Sequence, residues 1–166
     1  MIKELFDAIG KQCLSVEGIA HTAIWNQQLT FIDEEEPFKT PAVFVEVGEV
    51  SMKEDFKGAL HSQNPVLRGQ TSVTLHLLTS SHDGIATAYC LAEALADVFS
   101  RFSMEQPVFN VVNMDGNQSV VPCHDHEEII ETLITFTLRV SRKAAEQTRD
   151  DVKTATTDGS APADRL

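Results

Sequence analysis

The chain has 166 residues, of which 42% are hydrophobic, and it carries a formal net charge of −12. This length fits one domain with extensions, and the hydrophobic fraction is sufficient to fill a core. The negative charge argues against sequence-specific nucleic-acid binding, because such a face needs clustered Lys and Arg to neutralise phosphates.

The sequence gives no sign of membrane insertion or export. It holds no apolar run of membrane-spanning length, and residues 1–4 lead directly into a helical pattern instead of a signal peptide. Its three cysteines, Cys13, Cys90 and Cys123, lack the close spacing of a disulfide framework. We therefore expect a protein of a reducing compartment that is neither membrane-bound nor secreted.

The N-terminal segment, residues 2–16, carries apolar side chains at helical spacing with charged side chains between them. This pattern predicts a short helix that ends near Gly18, and residues 22–32 then suggest an extended segment. The apolar face of the helix comprises Ile2, Leu5, Phe6, Ile9, Cys13 and Val16.

Two strands are predicted in the next part of the chain. Residues 41–47 form a nearly continuous run of β-branched and aromatic side chains, and residues 70–79 alternate between apolar and polar side chains. The intervening residues 48–65 are polar and rich in turn-forming residues, so we expect a long loop there.

The most pronounced helical pattern spans about residues 84–102. Ser81 or Asp83 is expected to cap its start, and Pro107 prevents its continuation. One stripe of this helix is apolar and is predicted to lie on the sheet. The stripe comprises Ile85, Ala88, Ala92, Leu95, Phe99 and Phe102.

Residues 108–113 and 118–121 predict two short strands joined by a hairpin turn at Asp115-Gly116. Pro122 has no N–H to donate to a sheet, so we expect this hairpin at a sheet edge or bent away from it. A long alternating strand, residues 128–142, is predicted to follow.

Together these elements predict an α+β domain over residues 1–142. Its sheet is expected to be mixed or antiparallel, with the N-terminal helix and the long helix packed on one face. From residue 143 to residue 166 large apolar side chains are almost absent. Burial there cannot offset the entropy of ordering, so we expect a polar, disordered tail.

Residues 123–128, Cys-His-Asp-His-Glu-Glu, form the cluster with the most metal-binding side chains. His124 and His126 are candidate metal ligands, because alternate residues lie on one side of a strand, but the spacing matches no known zinc site. A solvated connector explains the cluster more simply. Residues 80–84 hold Ser, His and Asp in a row, yet adjacent residues cannot converge as a catalytic triad. We expect no catalytic residue, cofactor or metal.

The order of elements resembles the tail-terminator, or tail-completion and head–tail joining, proteins of long-tailed bacteriophages and prophages. The similarity lies in the order and pattern over residues 1–142, and no diagnostic motif contributes to it. The segments that carry it are residues 41–47, 73–78, 88–99, 108–121 and 133–140.

This resemblance implies a structural protein and not an enzyme. Such proteins form a homo-oligomeric ring, commonly a hexamer, which caps the tail tube and joins it to the head. The partners would be tail-tube and head-completion proteins, in the bacterial cytoplasm during assembly and then in the virion tail. By position, the expected assembly residues are Lys53, Glu54, Asp55, Phe56, Lys57, Asp115, Gly116 and Arg139.

Two other functions stay open from the sequence. One is a module that binds a small ligand or a peptide in a cleft beside the 84–102 helix. The other is a small metal-dependent enzyme that uses the 123–128 cluster.

Overall fold

A computed structural model of the chain describes residues 1–25, 38–54, 66–106, 109–126 and 128–143. Within these ranges the chain forms two helices, a 3₁₀ turn and seven strands. The elements are α1 (Ile2–Leu14), β1 (His21–Ile24), β2 (Ala42–Val47), β3 (Ser51–Glu54), β4 (Val66–Ser80), the 3₁₀ turn (Ser81–Asp83), α2 (Gly84–Ser100), β5 (Ser103–Glu105), β6 (Phe109–His126) and β7 (Ile129–Lys143).

The seven strands belong to one mixed sheet in the order β1-β2-β4-β7-β6-β5, with β3 also beside β4. β1 and β2 are parallel, and the other described pairs are antiparallel. β4 and β7 pair along their whole lengths, from Val66 opposite Lys143 to Ser80 opposite Ile129. The predicted α+β class is therefore confirmed, and β4 and β7 form the centre of the sheet.

Both helices pack on the same face of this sheet, as predicted from their apolar stripes. Alternation along β4 and β7 directs one set of side chains to that face, where Phe99 of α2 stacks on Phe136 with ring centroids 5.0 Å apart. The buried cluster includes Leu5, Ile9, Cys13, Val43, Val73, Leu75, Leu77, Ala92, Leu95, Phe99, Ile134, Phe136, Leu138 and Val140.

The first turn of each helix departs from the predicted stripe. Ile2 and Ile85 are 41% and 53% exposed, and burial of α2 begins one turn later at Ala88. The predicted capping is also corrected. The Ser80 hydroxyl accepts the His82 N–H at 3.3 Å, whereas Asp83 at the N-cap of α2 makes no side-chain capping bond.

The predicted loop at residues 48–65 contains a strand, so that expectation was wrong in part. β3 pairs with the beginning of β4, with Met52 opposite Gly69. The prediction failed because β4 begins at Val66, earlier than the alternation suggested, and this longer strand offers β3 an edge to pair with. Residues 55–65 lie outside the described ranges.

The hairpin predicted at Asp115-Gly116 is also wrong. Both flanking segments pair with β7 and not with each other, so β6 continues through the dipeptide with an irregular register between Asn113 and Gln118. A long apolar partner strand outweighs the local turn signal, because pairing with β7 satisfies more backbone groups than a two-residue turn. The register also shifts between Val121 and His124, around Pro122, but β6 stays paired with β7 on both sides of the proline.

Candidate functional site

The face of the sheet opposite the helices carries a buried histidine between two carboxylates. His76 of β4 places Nδ1 2.8 Å from Glu131 Oε1 on β7, and Nε2 3.1 Å from Glu46 Oε2 on β2. Three neighbouring strands therefore meet in one polar cluster. His76 and Glu131 are each 7% exposed, whereas the Glu46 side chain is 55% exposed and forms the outer end.

An aromatic group covers this cluster. The Trp25 indole lies parallel to the His76 ring with centroids 3.7 Å apart, and Trp25 also meets Phe44 edge-on at 6.3 Å. Phe38 packs against Phe44 at 4.9 Å. These rings pack on a second small apolar cluster on this face, which comprises Ala42, Phe44, Leu78 and Ile129.

The geometry of the His76 cluster indicates a structural role. An ionised carboxylate accepts a hydrogen bond from a ring N–H, and a protonated carboxyl donates one to a bare ring nitrogen, so both ring nitrogens are satisfied in either case. With both nitrogens engaged and Trp25 on the ring face, no ring nitrogen is available as a base or a metal ligand. The cluster therefore ties β2, β4 and β7 together on the face that lacks helices.

The outer edge of β6 is a candidate assembly surface. β5 pairs with β6 only at residues 110–112, and no other described strand pairs with the outer edge of β6 from Asn113 to His126. Unpaired backbone groups at such an edge form a template for another strand. We call residues 113–126 the β6 margin.

A second candidate surface lies at the other side of the sheet. A groove of about 670 Å³ runs between α1 and β1, and apolar side chains form most of its wall. Its lining includes Ile2, Phe6, Leu14, Ile24, Lys3 and Lys11. We call this the α1–β1 groove. This groove lies beside α1, whereas the sequence suggested a cleft beside the 84–102 helix.

The predicted assembly residues fall at several places on the sheet. Lys53 and Glu54 lie on β3, and Arg139 is exposed on β7. Asp115 and Gly116 lie within the β6 margin and not at a hairpin tip. The other three, Asp55, Phe56 and Lys57, lie outside the described residues.

The 123–128 cluster is placed differently from the solvated connector that we expected. Residues 123–126 belong to β6, where His124 is opposite Glu131 and His126 opposite Ile129. The described side chains contain no group of three or more His, Cys, Asp or Glu arranged to hold a metal ion. The side chains of His124 and His126 lie outside that description, so their candidacy as ligands stays a prediction.

The sequence reasoning missed the His76 cluster. The alternation placed His76 on the face of the strand away from Leu75 and Leu77. A single histidine between apolar strand residues was the feature that could have indicated a buried polar cluster. Its partners could not be identified, because Glu46 and Glu131 lie 30 and 55 residues away along the chain.

Comparison with known protein families gives no matching family, and comparison with curated proteins gives no match either. In the part of the chain that the structure describes, neither helix has the length and apolar character needed to cross a bilayer.

Proposed function

We propose that this protein is a structural subunit that assembles with copies of itself into a ring in a phage or prophage tail. The ring caps the tail tube and provides the surface that joins tail and head. The observation that carries the proposal is the long β6 margin at one side of the sheet. The α1–β1 groove at the opposite side supplies a second surface for contact with a neighbour.

The arrangement of these surfaces supports a closed assembly. The two lie at opposite ends of the strand order, so one subunit can contact a different neighbour at each side. Contacts between unlike surfaces generate rings when the rotation closes. The order of helices and strands also supports the proposal, because it follows the order that the resemblance implies except that the single strand β6 stands in place of the hairpin.

The charge of the chain suits a channel for DNA. A net charge of −12 repels phosphate and disfavours adhesion of DNA to the ring wall. Binding partners are then proteins, namely the tube subunit below and a head-completion protein above. This function requires no catalytic residue, cofactor or metal.

Size-exclusion chromatography with light scattering, followed by negative-stain microscopy, tests the proposal. We expect a concentration-dependent species of defined multiple mass and annular particles. Reversing an exposed charge in the predicted assembly set, Lys53→Glu or Arg139→Glu, should weaken assembly, whereas Arg101→Glu after α2 should not. A single-chain mass at every concentration, with no annular particles, would contradict it.

A module that binds a small apolar ligand or a peptide is the second candidate function. The α1–β1 groove favours it, because concave apolar sites of this size are typical of ligand pockets. A chain that stays monomeric and binds one apolar dye per molecule would support this candidate over the ring.

A further inference from the structure

Three cationic side chains lie together on the face of the sheet that lacks helices. Lys53 of β3 lies directly opposite Arg68 of β4, and Arg139 of β7 lies diagonal to Arg68, two residues before its partner Ser141. Arg68 lies an even number of residues before His76, so the alternation of β4 puts both on the same face. All three cations are exposed. Because diagonal neighbours lie about 7–8 Å apart, the charges form one patch, which we call the cationic face.

The residues that flank the cationic face are polar and uncharged. On the same face of β3, β4 and β7 these are Ser51, Gln70, Ser72, Thr137 and Ser141. The chain has 25 acidic and 13 basic residues, so three cations on adjoining strands run against its composition. Like charges at neighbouring positions of a sheet repel one another, and the approach of an acidic surface relieves that repulsion.

A surface of the opposite charge lies on the other side of the same molecule. The outward side of α2 carries Asp83 at its N-cap, Glu93 and Asp97, and all three are exposed. Because successive helical residues turn by about 100°, these positions lie within about 80° of one another around the helix axis. The helix contains no Lys or Arg from Gly84 to Ser100. We call Asp83, Glu93 and Asp97 the acidic stripe.

We infer that the cationic face of one copy binds the acidic stripe of the next copy. This inference rests on the proposed function, because it names a contact through which copies of the subunit assemble. The occupant is a second copy because the chain itself presents an exposed surface of complementary charge. The β6 margin and the α1–β1 groove lie at the sides of the sheet, so both faces remain for this contact.

The position of the two surfaces determines the form of the assembly. They lie on opposite faces of the sheet, so a copy that uses both contacts two neighbours, one on each face. The residues of both surfaces are charged, so the contact derives from electrostatic attraction and not from apolar burial. It is therefore sensitive to salt, because the Debye length falls from about 10 Å at 0.1 M to about 3 Å at 1 M.

A pair of charge-reversed variants tests this interface. The cation-reversed variant carries Lys53→Glu and Arg139→Glu, and the acid-reversed variant carries Glu93→Lys and Asp97→Lys. Each variant alone presents like charges at the contact, so its concentration for half-assembly, measured by light scattering, should rise about tenfold or more. An equimolar mixture restores opposite charges at each contact and should assemble within about threefold of the wild-type concentration. Recovery in the mixture also shows that both variants are folded.

Variants with the same change in net charge at other exposed positions are the controls. Lys39→Glu with Arg101→Glu matches the cation-reversed variant, and Glu17→Lys with Glu49→Lys matches the acid-reversed variant. Both controls should assemble like the wild type, because neither removes a charge from the cationic face or the acidic stripe. Raising NaCl from about 0.1 M to about 1 M should weaken wild-type assembly.

The outcomes separate this inference from the proposed function. Assembly that tolerates both reversals, or a mixture that does not recover, overturns the interface, and rings formed by either variant leave the proposed function standing. A wild-type chain that stays monomeric at every concentration overturns the proposed function and this interface with it. Binding of a fluorescent DNA duplex that is lost in the cation-reversed variant assigns the cationic face to phosphate and overturns its pairing with the acidic stripe.

Discussion

Trp25 lies flat on the ring of His76, with centroids 3.7 Å apart and planes inclined by 4°. The stack brings the residue after β1 onto the centre of β4, across the intervening strand β2. Two flat rings stacked at this distance gain dispersion energy and contact area over their whole faces. Through this pair, the hydrogen-bonded His76 cluster is in direct contact with the aromatic rings that pack around Trp25.

Fluorescence of the single tryptophan should report this stack directly. An imidazole in contact with an indole quenches its emission, so His76→Leu should raise the emission intensity of the native protein. His82→Leu, at an exposed position on the 3₁₀ turn, serves as the matched control and should leave the emission unchanged. Equal intensities for the wild type and His76→Leu would contradict the stacked geometry.

The two carboxylates on His76 should differ in their contribution to stability. Glu131 is buried, so Glu131→Gln should lower the free energy of unfolding by about 2 kcal/mol by weakening its buried hydrogen bond to His76. Glu46 is 55% exposed, so Glu46→Gln should cost less than about 1 kcal/mol. Urea unfolding of both variants measures the difference, and equal costs would refute the assigned burial.

The Cys13 thiol should not react with thiol reagents in the folded protein. Burial raises the pKa of its thiol to about 12, and its side chain is fully covered by the core. In a Cys123→Ser background, a maleimide should label Cys90, which is exposed, and reach Cys13 only on unfolding. Rapid labelling of two thiols in the native state would contradict the packing of α1.

The raised pKa of the Cys13 thiol also predicts that the folded protein loses stability at alkaline pH. The unfolded thiol titrates near its ordinary value of 9.0, whereas the folded thiol keeps its proton to higher pH. Between pH 9 and about 12 the unfolded state binds fewer protons, so stability falls as pH rises by up to about 1.4 kcal/mol per unit. Below pH 9 this group contributes no slope. Cys13→Ala should remove its contribution from unfolding curves measured across that range.

Gly69 should be required for the pairing of β3 with β4. A Cβ at this position would collide with the carbonyl oxygen of Ser51, which is backbone and cannot rotate away. We expect Gly69→Ala to destabilise the protein by about 1–3 kcal/mol, as for other overpacked sites, and to speed amide exchange in β3. Gln70→Ala, at the next and exposed position, is the control and should change neither quantity.

Helices and strands with strong periodicity were predictable, and the long-range pairings were not. The faces of α1, α2 and β7 follow from apolar spacing, since each depends on residues within a few turns of one element. The Asp115-Gly116 hairpin failed because the turn signal is local whereas β6 pairs with a strand that follows it. The strand within residues 48–65 failed for the related reason that its partner edge on β4 begins earlier than predicted.

By itself, therefore, the sequence determined an α+β domain with two amphipathic helices on one face of a sheet. The reason is that the 3.6-residue period of a helix and the two-residue period of a strand can be recognised from the spacing of apolar residues within one segment. The tertiary structure decided which strands lie side by side. That choice brought Glu46, His76 and Glu131 together from distant parts of the chain, and it left the β6 margin and the α1–β1 groove at opposite sides of the sheet. The physical reason is that strand neighbours are selected by the burial and hydrogen bonding of the whole sheet, which no single segment encodes.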